Sequence, residues 1–214
     1  KMKILNLYSG IGGNRKLWGD KHDITAVELD PEIADIYSNF FPNDNVIVDD
    51  AHDYLINNYQ DFDFIWSSPP CPTHSRFQNL KMNSPETVKK YPDMKLYEEV
   101  IYLKHFFKKG KWVVENVISY YDPLIKPTKS NNHYFWSNFD IPIIEKDDRG
   151  IRGTKDNFEH KQKRLGFFVE DLPITSLKKR KILNNCVLPQ VGLAILQSAL
   201  QEEIEVEKKQ DALF

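Results

Sequence analysis

Four short apolar runs near the start of the chain, Lys3-Ile4-Leu5-Asn6-Leu7, Ile24-Thr25-Ala26-Val27, Val46-Ile47-Val48 and Phe62-Asp63-Phe64-Ile65-Trp66, are separated by stretches long enough for one helix each. That alternation constrains the fold more than any other feature. Runs of three to five apolar residues suit strands buried on both faces, and alternating strands and helices predict a parallel sheet covered by helices on each side. The expected fold is α/β, a doubly wound, mostly parallel sheet with a small recognition subregion. Helices are expected at about 31–41, 51–59, 93–109, where Met94, Tyr97, Val100, Ile101, Lys104 and His105 recur near helical spacing, and from Pro189 toward Glu207, with Val191, Ala194, Ile195, Ser198 and Ala199 against the sheet. A further one is expected to leave the glycine turn and reach Trp18, and a strand from Lys111 to Val114 would have Glu115 at its end. The aromatic run His133-Tyr134-Phe135-Trp136-Ser137-Asn138-Phe139 favours another strand.

Each run ends in a distinct chemical group. The first is followed by Tyr8-Ser9-Gly10-Ile11-Gly12-Gly13, where glycine lets backbone approach a ligand closely. The second ends in Glu28 and the third in Asp49 and Asp50, and a carboxylate at such an end can accept both hydroxyls of a ribose. Together these ends form the arrangement expected for an adenosine-containing cofactor. The fourth run leads into Ser68-Pro69-Pro70-Cys71, where two prolines stiffen the turn that carries a thiol at the lip of the sheet. Cys71 and Cys186 are the two cysteines, there is no CxxC pair, and a disulfide framework is not expected. With no targeting segment visible, a cytoplasmic protein is expected, with neither membrane span nor metal.

The order and spacing of these segments resemble the DNA cytosine-5 methyltransferases. Tyr8 to Gly13 is similar to their first motif, Val27-Glu28-Leu29-Asp30 to the second, Val48-Asp49-Asp50-Ala51 to the third and Ser68-Pro69-Pro70-Cys71 to the fourth. Val113-Val114-Glu115-Asn116-Val117 resembles the Glu-Asn-Val motif, and Asn185-Cys186-Val187-Leu188-Pro189 the motif that closes over the cofactor. The resemblance runs from Ile4 to about Leu200.

The resemblance implies S-adenosyl-L-methionine as cofactor, held by Tyr8, Ser9, Gly10, Ile11, Gly12, Gly13, Glu28, Leu29, Asp50, Ala51, Pro69, Asn185 and Val187. It implies Cys71 as the thiolate that attacks C6 of cytosine and makes C5 nucleophilic, and Glu115 as the partner of N3 and the exocyclic amine. The base must leave the duplex to be reached, so base flipping is implied. Substrate contacts are expected from Pro70, Ser75, Arg76, Asn116, Val117, His133 and Arg164. The loop 72–92 is expected to close over the base, with His74 as a phosphate or base contact and Arg76 as a phosphate ligand. Some proteins with this motif set methylate transfer RNA, and a catalytically silent scaffold is a third reading.

Double-stranded DNA is the expected partner although net charge is −2, because the charge is segregated. Residues 1–70 hold five Lys/Arg and twelve Asp/Glu, whereas 76–111 hold nine and four, and 155–181 eight and four. The family's Gln-x-Arg-x-Arg segment has two candidate counterparts, Gln162-Lys163-Arg164 and the strand at His133; the His133 strand has the expected position, which leaves Arg164 as a DNA contact. Residues 1–139 and 181–214 are expected to form the catalytic domain. The 41 residues from 140 to 180 would then be a reduced target-recognition region, with further specificity supplied by a homodimer mate or a separate partner.

Overall fold

In the computed structural model, residues 1–76, 90–145 and 156–201 are described. A seven-stranded sheet in the order β3-β2-β1-β4-β5-β7-β6 is built from β1 (Lys3–Leu7), β2 (Asp23–Glu28), β3 (Asn45–Val48), β4 (Phe64–Ser67), β5 (Lys111–Val117), β6 (Thr128–Ser130) and β7 (His133–Ser137). The first five strands are parallel; β7 runs antiparallel to β5 and to β6. The helices are α1 (Pro31–Phe40), α2 (Ala51–Asn58), α3 (Lys95–Phe106), α4 (Asp156–Leu165), α5 (Ser176–Asn184) and α6 (Pro189–Leu200).

Alternation along β1 and β4 separates two faces. Leu5, Leu7 and Ile65 point to a layer made by Leu55 of α2 and Leu96, Val100 and Leu103 of α3. Ile4, Phe64 and Trp66 point the other way, onto Val191, Ile195 and Leu196 of α6. Beyond β2 on that side, Ala26 meets Ile36 and Tyr37 of α1 with Leu165, Phe167 and Ile182 from α4, α5 and the segment between them. This is a doubly wound, mostly parallel α/β sheet with helices on both faces, as the alternation predicts. The third cluster also shows that residues 156–184 pack onto the same sheet.

Helix starts follow from local chemistry. Asp30 and Asp50 accept hydrogen bonds from the backbone N–H groups of the first turns of α1 and α2, and Pro31 and Pro189 supply a fixed φ at α1 and α6. Such caps contribute about 1 kcal/mol each. An apolar stretch at Ser176–Leu200 is long enough by composition to cross a bilayer. The chain turns between α5 and α6, which leaves helices of 9 and 12 residues, against the roughly 20 needed for a span.

Four sequence expectations need correction. Residues 13–18 form turns and no helix, because their side chains bond outward: Asn14 pairs with Asn6 of β1, Arg15 with Asp44, and the Trp18 indole donates to the Gly192 carbonyl at 3.1 Å. The buried face of α3 is Leu96, Tyr97, Val100 and Leu103, while Met94 and Ile101 are exposed. Helix α6 stops at Leu200, where Gln201 takes a left-handed conformation (φ 56°), and buries Gly192 and Leu196 in place of Ala194 and Ser198. Strand β5 continues past Val114 to Val117, so Glu115 lies inside a strand.

Candidate active site

The parallel strands end in register: β1 at Leu7 is paired with Val27 and with Ser67, and Ser67 with Val114. Strand β5 continues for three residues past β4, supported by the antiparallel pairs Glu115↔Phe135, Asn116↔Tyr134 and Val117↔His133. Glu115 therefore projects at the lip of the sheet, beside the turn that leaves β4.

That turn is held from both sides. The buried Asn116 amide donates to the Pro69 carbonyl at 2.9 Å, and the Cys71 carbonyl accepts from the N–H groups of His74 (3.0 Å) and Ser75 (3.1 Å). Asn116 also accepts from the Val117 N–H, so its side chain is occupied in fixing the turn. Burial pushes the Cys71 thiol up from its ordinary value, and the nearby Glu115 carboxylate adds to the rise. The resting thiol is consequently protonated at neutral pH. Glu115 is 6% exposed, and its Oε1 lies 3.5 Å from His133 Nε2. His133 Nδ1 is buried with no hydrogen-bond partner among the described residues. Cys71, Glu115 and His133 are thus brought to one place from β4, β5 and β7.

Within the loop after Cys71, His74 departs from its expected role. His74 is 1% exposed and is no surface contact: its Nδ1 sits 2.6 Å from the Tyr121 hydroxyl. Burial lowers its pKa, which keeps the ring neutral. Ser75 forms a backbone bridge with Ser119, and the exposed Arg76 donates from Nε to the Ser119 carbonyl at 3.3 Å. Pro70 is exposed, but the middle of the loop, 77–89, lies outside the described residues. Arg164 sits on α4, whose Leu165 packs with α1 and α5 in the third cluster.

The glycine turn opens the other half of the crevice. Tyr8 and Gly10 both have φ 54°, and Gly12 has φ 84°. A side chain at Gly10 would meet nothing within 4 Å, whereas one at Gly12 would strike the Phe41 and Tyr37 rings. Gly10 thus borders open space, and Gly12 and the buried Ile11 belong to the core. At Gly13 a Cβ would lie 2.7 Å from the Val187 carbonyl, which ties the first motif to the last. Val187 is core at 5% exposed, while Asn185 is exposed at the end of α5.

Glu28 accepts from the Gly10 N–H and the Asp30 N–H, both at 3.0 Å, so it braces the glycine turn while keeping lone pairs for hydroxyl donors. Leu29 beside it is 66% exposed. Asp50 caps α2; burial disfavours its charge, but the N–H groups of Asp53 and His52 and the Lys95 ammonium outweigh that and lower its pKa. The buried Ser9 hydroxyl has no partner among the described residues. An unsatisfied hydroxyl, an open glycine, a carboxylate and an exposed leucine around one crevice fit an adenosine-bearing ligand. Among the described residues no three His, Cys, Asp or Glu side chains are grouped to hold a metal.

A cavity of about 400 Å³, lined by Lys104, Lys108, Trp112, Lys126 and Asn138 among others, lies elsewhere. It is at the start of β5 and the end of β7, opposite the strand ends that carry Cys71 and Glu115. The strand-end crevice, and not this cavity, holds Cys71 and Glu115.

Two features had no sequence signal. Arg15 forms a bidentate, buried pair with Asp44 (2.8 and 2.9 Å), and Glu99 of α3 is a buried carboxylate among hydroxyls. Neither lies in a motif, and only three-dimensional packing distinguishes them from solvated charges.

Among solved structures, that of a DNMT2 mutant from Spodoptera frugiperda is 20% identical over 69% of this chain and 54% of its own, with a TM-score of 0.43. A DNA modification methyltransferase encoded within an E. coli prophage is 16% identical over 66% and 49%, with a TM-score of 0.44. The Entamoeba histolytica methyltransferase EhMeth is 12% identical over 100% and 90%, also at 0.44. The chain spans about half the length of the first two. No curated protein sequence matches it. Residues 2–117, from the first strand through Glu115-Asn116-Val117, match the family model of the C-5 cytosine-specific DNA methylases. The chain belongs to the C-5 cytosine-specific DNA methylase family, whose methyl donor is S-adenosylmethionine.

Proposed function

We propose that this chain methylates C5 of cytosine in DNA through a covalent bond between Cys71 and C6 of a flipped base. The observation that carries the reading is the joint placement of Cys71 and Glu115 at one lip of the sheet, with the Asn116 amide holding the Pro69 carbonyl between them. When bound, S-adenosylmethionine supplies an electrophilic methyl group. Ser9, Gly10, Glu28 and the exposed Leu29 are the residues suited to hold it.

Cys71 acts as the nucleophile. Its sulfur bonds to C6 as the thiol proton passes to water, the C5–C6 pair shifts to C4–C5 and the C4–N3 pair onto N3, and N3 takes up a proton held between it and the Glu115 carboxyl group. The two events help each other. While Glu115 is ionised it opposes thiolate formation, and once its proton lies between the carboxyl group and N3 that opposition is removed. His133, 3.5 Å from Glu115, orients the carboxylate. As C5 takes the methyl group the C4–N3 double bond reforms and the N3 proton returns to the Glu115 side; loss of the C5 proton to water then restores the C5–C6 double bond, the C6–S bond breaks and the thiolate is regenerated.

The catalytic unit in this reading is 1–139 with 181–214, and 140–180 serves recognition, aided by a second copy or another protein. Arg76 and Arg164 are the phosphate contacts. Basic residues at 146, 149 and 152 also belong to that stretch but lie outside the described residues. Labelled methyl groups offered with duplex DNA, single-stranded DNA and transfer RNA test the reading. Incorporation into duplex DNA at cytosine C5 is the expected result. Incorporation into transfer RNA alone would replace the substrate, and none in any would leave a silent scaffold.

A further inference from the structure

Glu99, on the inner face of α3, is 1% exposed. A carboxylate that has left water is costly unless donors surround it, and here they come from three other elements. The Tyr8 hydroxyl donates to Oε1 at 2.6 Å and the Ser67 hydroxyl to Oε2 at 2.5 Å, while His52 Nδ1 lies 3.1 Å from Oε1. Tyr8 is the first residue of the glycine turn and is held at φ 54°. Ser67 is the last residue of β4, four before Cys71, and His52 lies in the first turn of α2, directly after Asp50 and Ala51. One buried carboxylate therefore touches the turn that borders the donor crevice, the strand that carries the nucleophile and the helix that closes the far side.

The geometry of its neighbours makes the arrangement sensitive. Leu7 and Ser67 are paired directly across β1 and β4, so the two hydroxyls that grip Glu99 leave adjacent strand ends. Their separation sets the distance between Gly10, where the crevice is open, and the Pro69-Pro70-Cys71 turn. No backbone hydrogen bond between these segments beyond the strand ends fixes that distance in the described residues; the Glu99 side chain bridges it.

We propose that Glu99 is a positioning residue for methyl transfer, a clamp that sets the methyl-donor turn and the Cys71 turn at a fixed distance. The proposal rests on the function argued above. Its two arms are separable: the Tyr8 arm governs how well the donor is held, and the Ser67 arm governs how well the held donor meets the nucleophile's substrate. A residue that only stabilised the fold would change neither constant at temperatures well below unfolding.

The test compares Tyr8→Phe, Ser67→Ala and Glu99→Gln with the unaltered chain. It measures donor affinity without nucleic acid, KM and kcat for transfer to DNA, and thermal unfolding. Loss of one hydrogen bond to a charged group corresponds to about a tenfold effect. Tyr8→Phe is expected to weaken donor binding about tenfold with kcat little changed, Ser67→Ala to lower kcat about tenfold with donor affinity kept, and Glu99→Gln to do both. The two hydroxyl variants keep the buried carboxylate, so the outcome does not hinge on Glu99→Gln folding. Equal constants in Tyr8→Phe, Ser67→Ala and the parent, with only the unfolding temperature lowered, overturn the clamp. Should the parent bind the donor yet methylate nothing, the functional reading fails and the binding arm decides: about tenfold weaker binding in Tyr8→Phe supports the clamp, and unchanged affinity removes it.

Discussion

The buried Arg15–Asp44 pair and the partly buried Cys71–Glu115–His133 group are both assemblies of ionisable side chains next to strand ends, and they are built in opposite ways. Asp44 accepts two bonds from Arg15 and one from the Tyr37 hydroxyl at 2.8 Å, and the guanidinium lies 4.8 Å from the centre of the Phe41 ring and also meets Asp20. Those donors and acceptors are matched. At the second group the closest charged contact is 3.5 Å, a ring nitrogen is unmatched among the described residues and the thiol is held in its neutral form. The first arrangement is closed to further partners. The second retains capacity that a base with N3 and an amine can use, and that capacity marks the site more than burial does.

Removing the Cys71 thiol sharpens the contrast most. Cys71→Ser is expected to abolish methyl transfer and covalent trapping on a 5-fluorocytosine duplex while donor binding by calorimetry stays close to that of the parent. An adduct that persists in the variant would remove Cys71 from its role.

Breaking the closed pair should instead cost stability. Asp44→Ala leaves the Arg15 guanidinium, whose side chain is 2% exposed, without its main partner. A lost partner in a buried pair costs roughly 3–5 kcal/mol. Denaturant unfolding is expected to show a loss in that range, with the chemical step in the remaining folded protein little changed. A loss below about 1 kcal/mol would mean that Arg15 finds water or Asp20 instead.

Glu28→Ala should give an intermediate effect. It removes the brace on Gly10 and Asp30 and a hydroxyl acceptor, so donor affinity is expected to fall by roughly 1.5–3 kcal/mol for each charge-assisted bond lost. Glu115→Ala should leave donor affinity nearly unchanged. Equal losses in the two variants would erase the division between the halves of the crevice.

The smallest effect is a titration. Burial and then Glu115 raise the Cys71 pKa, so alkylation of the free protein should be slow at neutral pH and rise only at alkaline pH, above the ordinary thiol range. In Glu115→Gln the neighbouring negative charge is gone, and the inflection should move down. An inflection that stays in place would show that burial alone governs the thiol.

Much of the molecule is legible in its sequence because the relevant signals are local. Pro69-Pro70-Cys71 directly after a buried strand, Glu28 at the end of β2 and the dense aromatic run of β7 each carry their placement in neighbouring residues. Glu115 is visible for the same reason, although its position within β5 depends on pairing with β7, which no local pattern reveals. The segment 13–18 has the composition of a helix start, but pairing with Asn6, Asp44 and Gly192 decides its shape. Glu98 and Glu99 are adjacent and identical in type; one faces solvent at 60% side-chain exposure and the other lies among three donors. Only the phase of α3 against the sheet tells them apart, and the apolar residues of that helix suggest a phase centred too near Ile101.

The contact between the glycine turn and α6 has a consequence for how the protein is made. A Cβ at Gly192 would lie 2.2 Å from the Asn14 carbonyl, and the Trp18 indole reaches the Gly192 carbonyl across 174 residues of chain. Residues 12–18 leave the ribosome long before α6 and can meet Asn6, Tyr37, Phe41 and Asp44 early, but the contacts of Asn14 and Trp18 with Gly192 form only once α6 has emerged. Contacts so distant in sequence slow folding, since the chain must close a long loop before they form. A nascent chain arrested before α6 would therefore carry the Cys71 turn and the glycine turn without the helix that packs against Asn14 and Trp18.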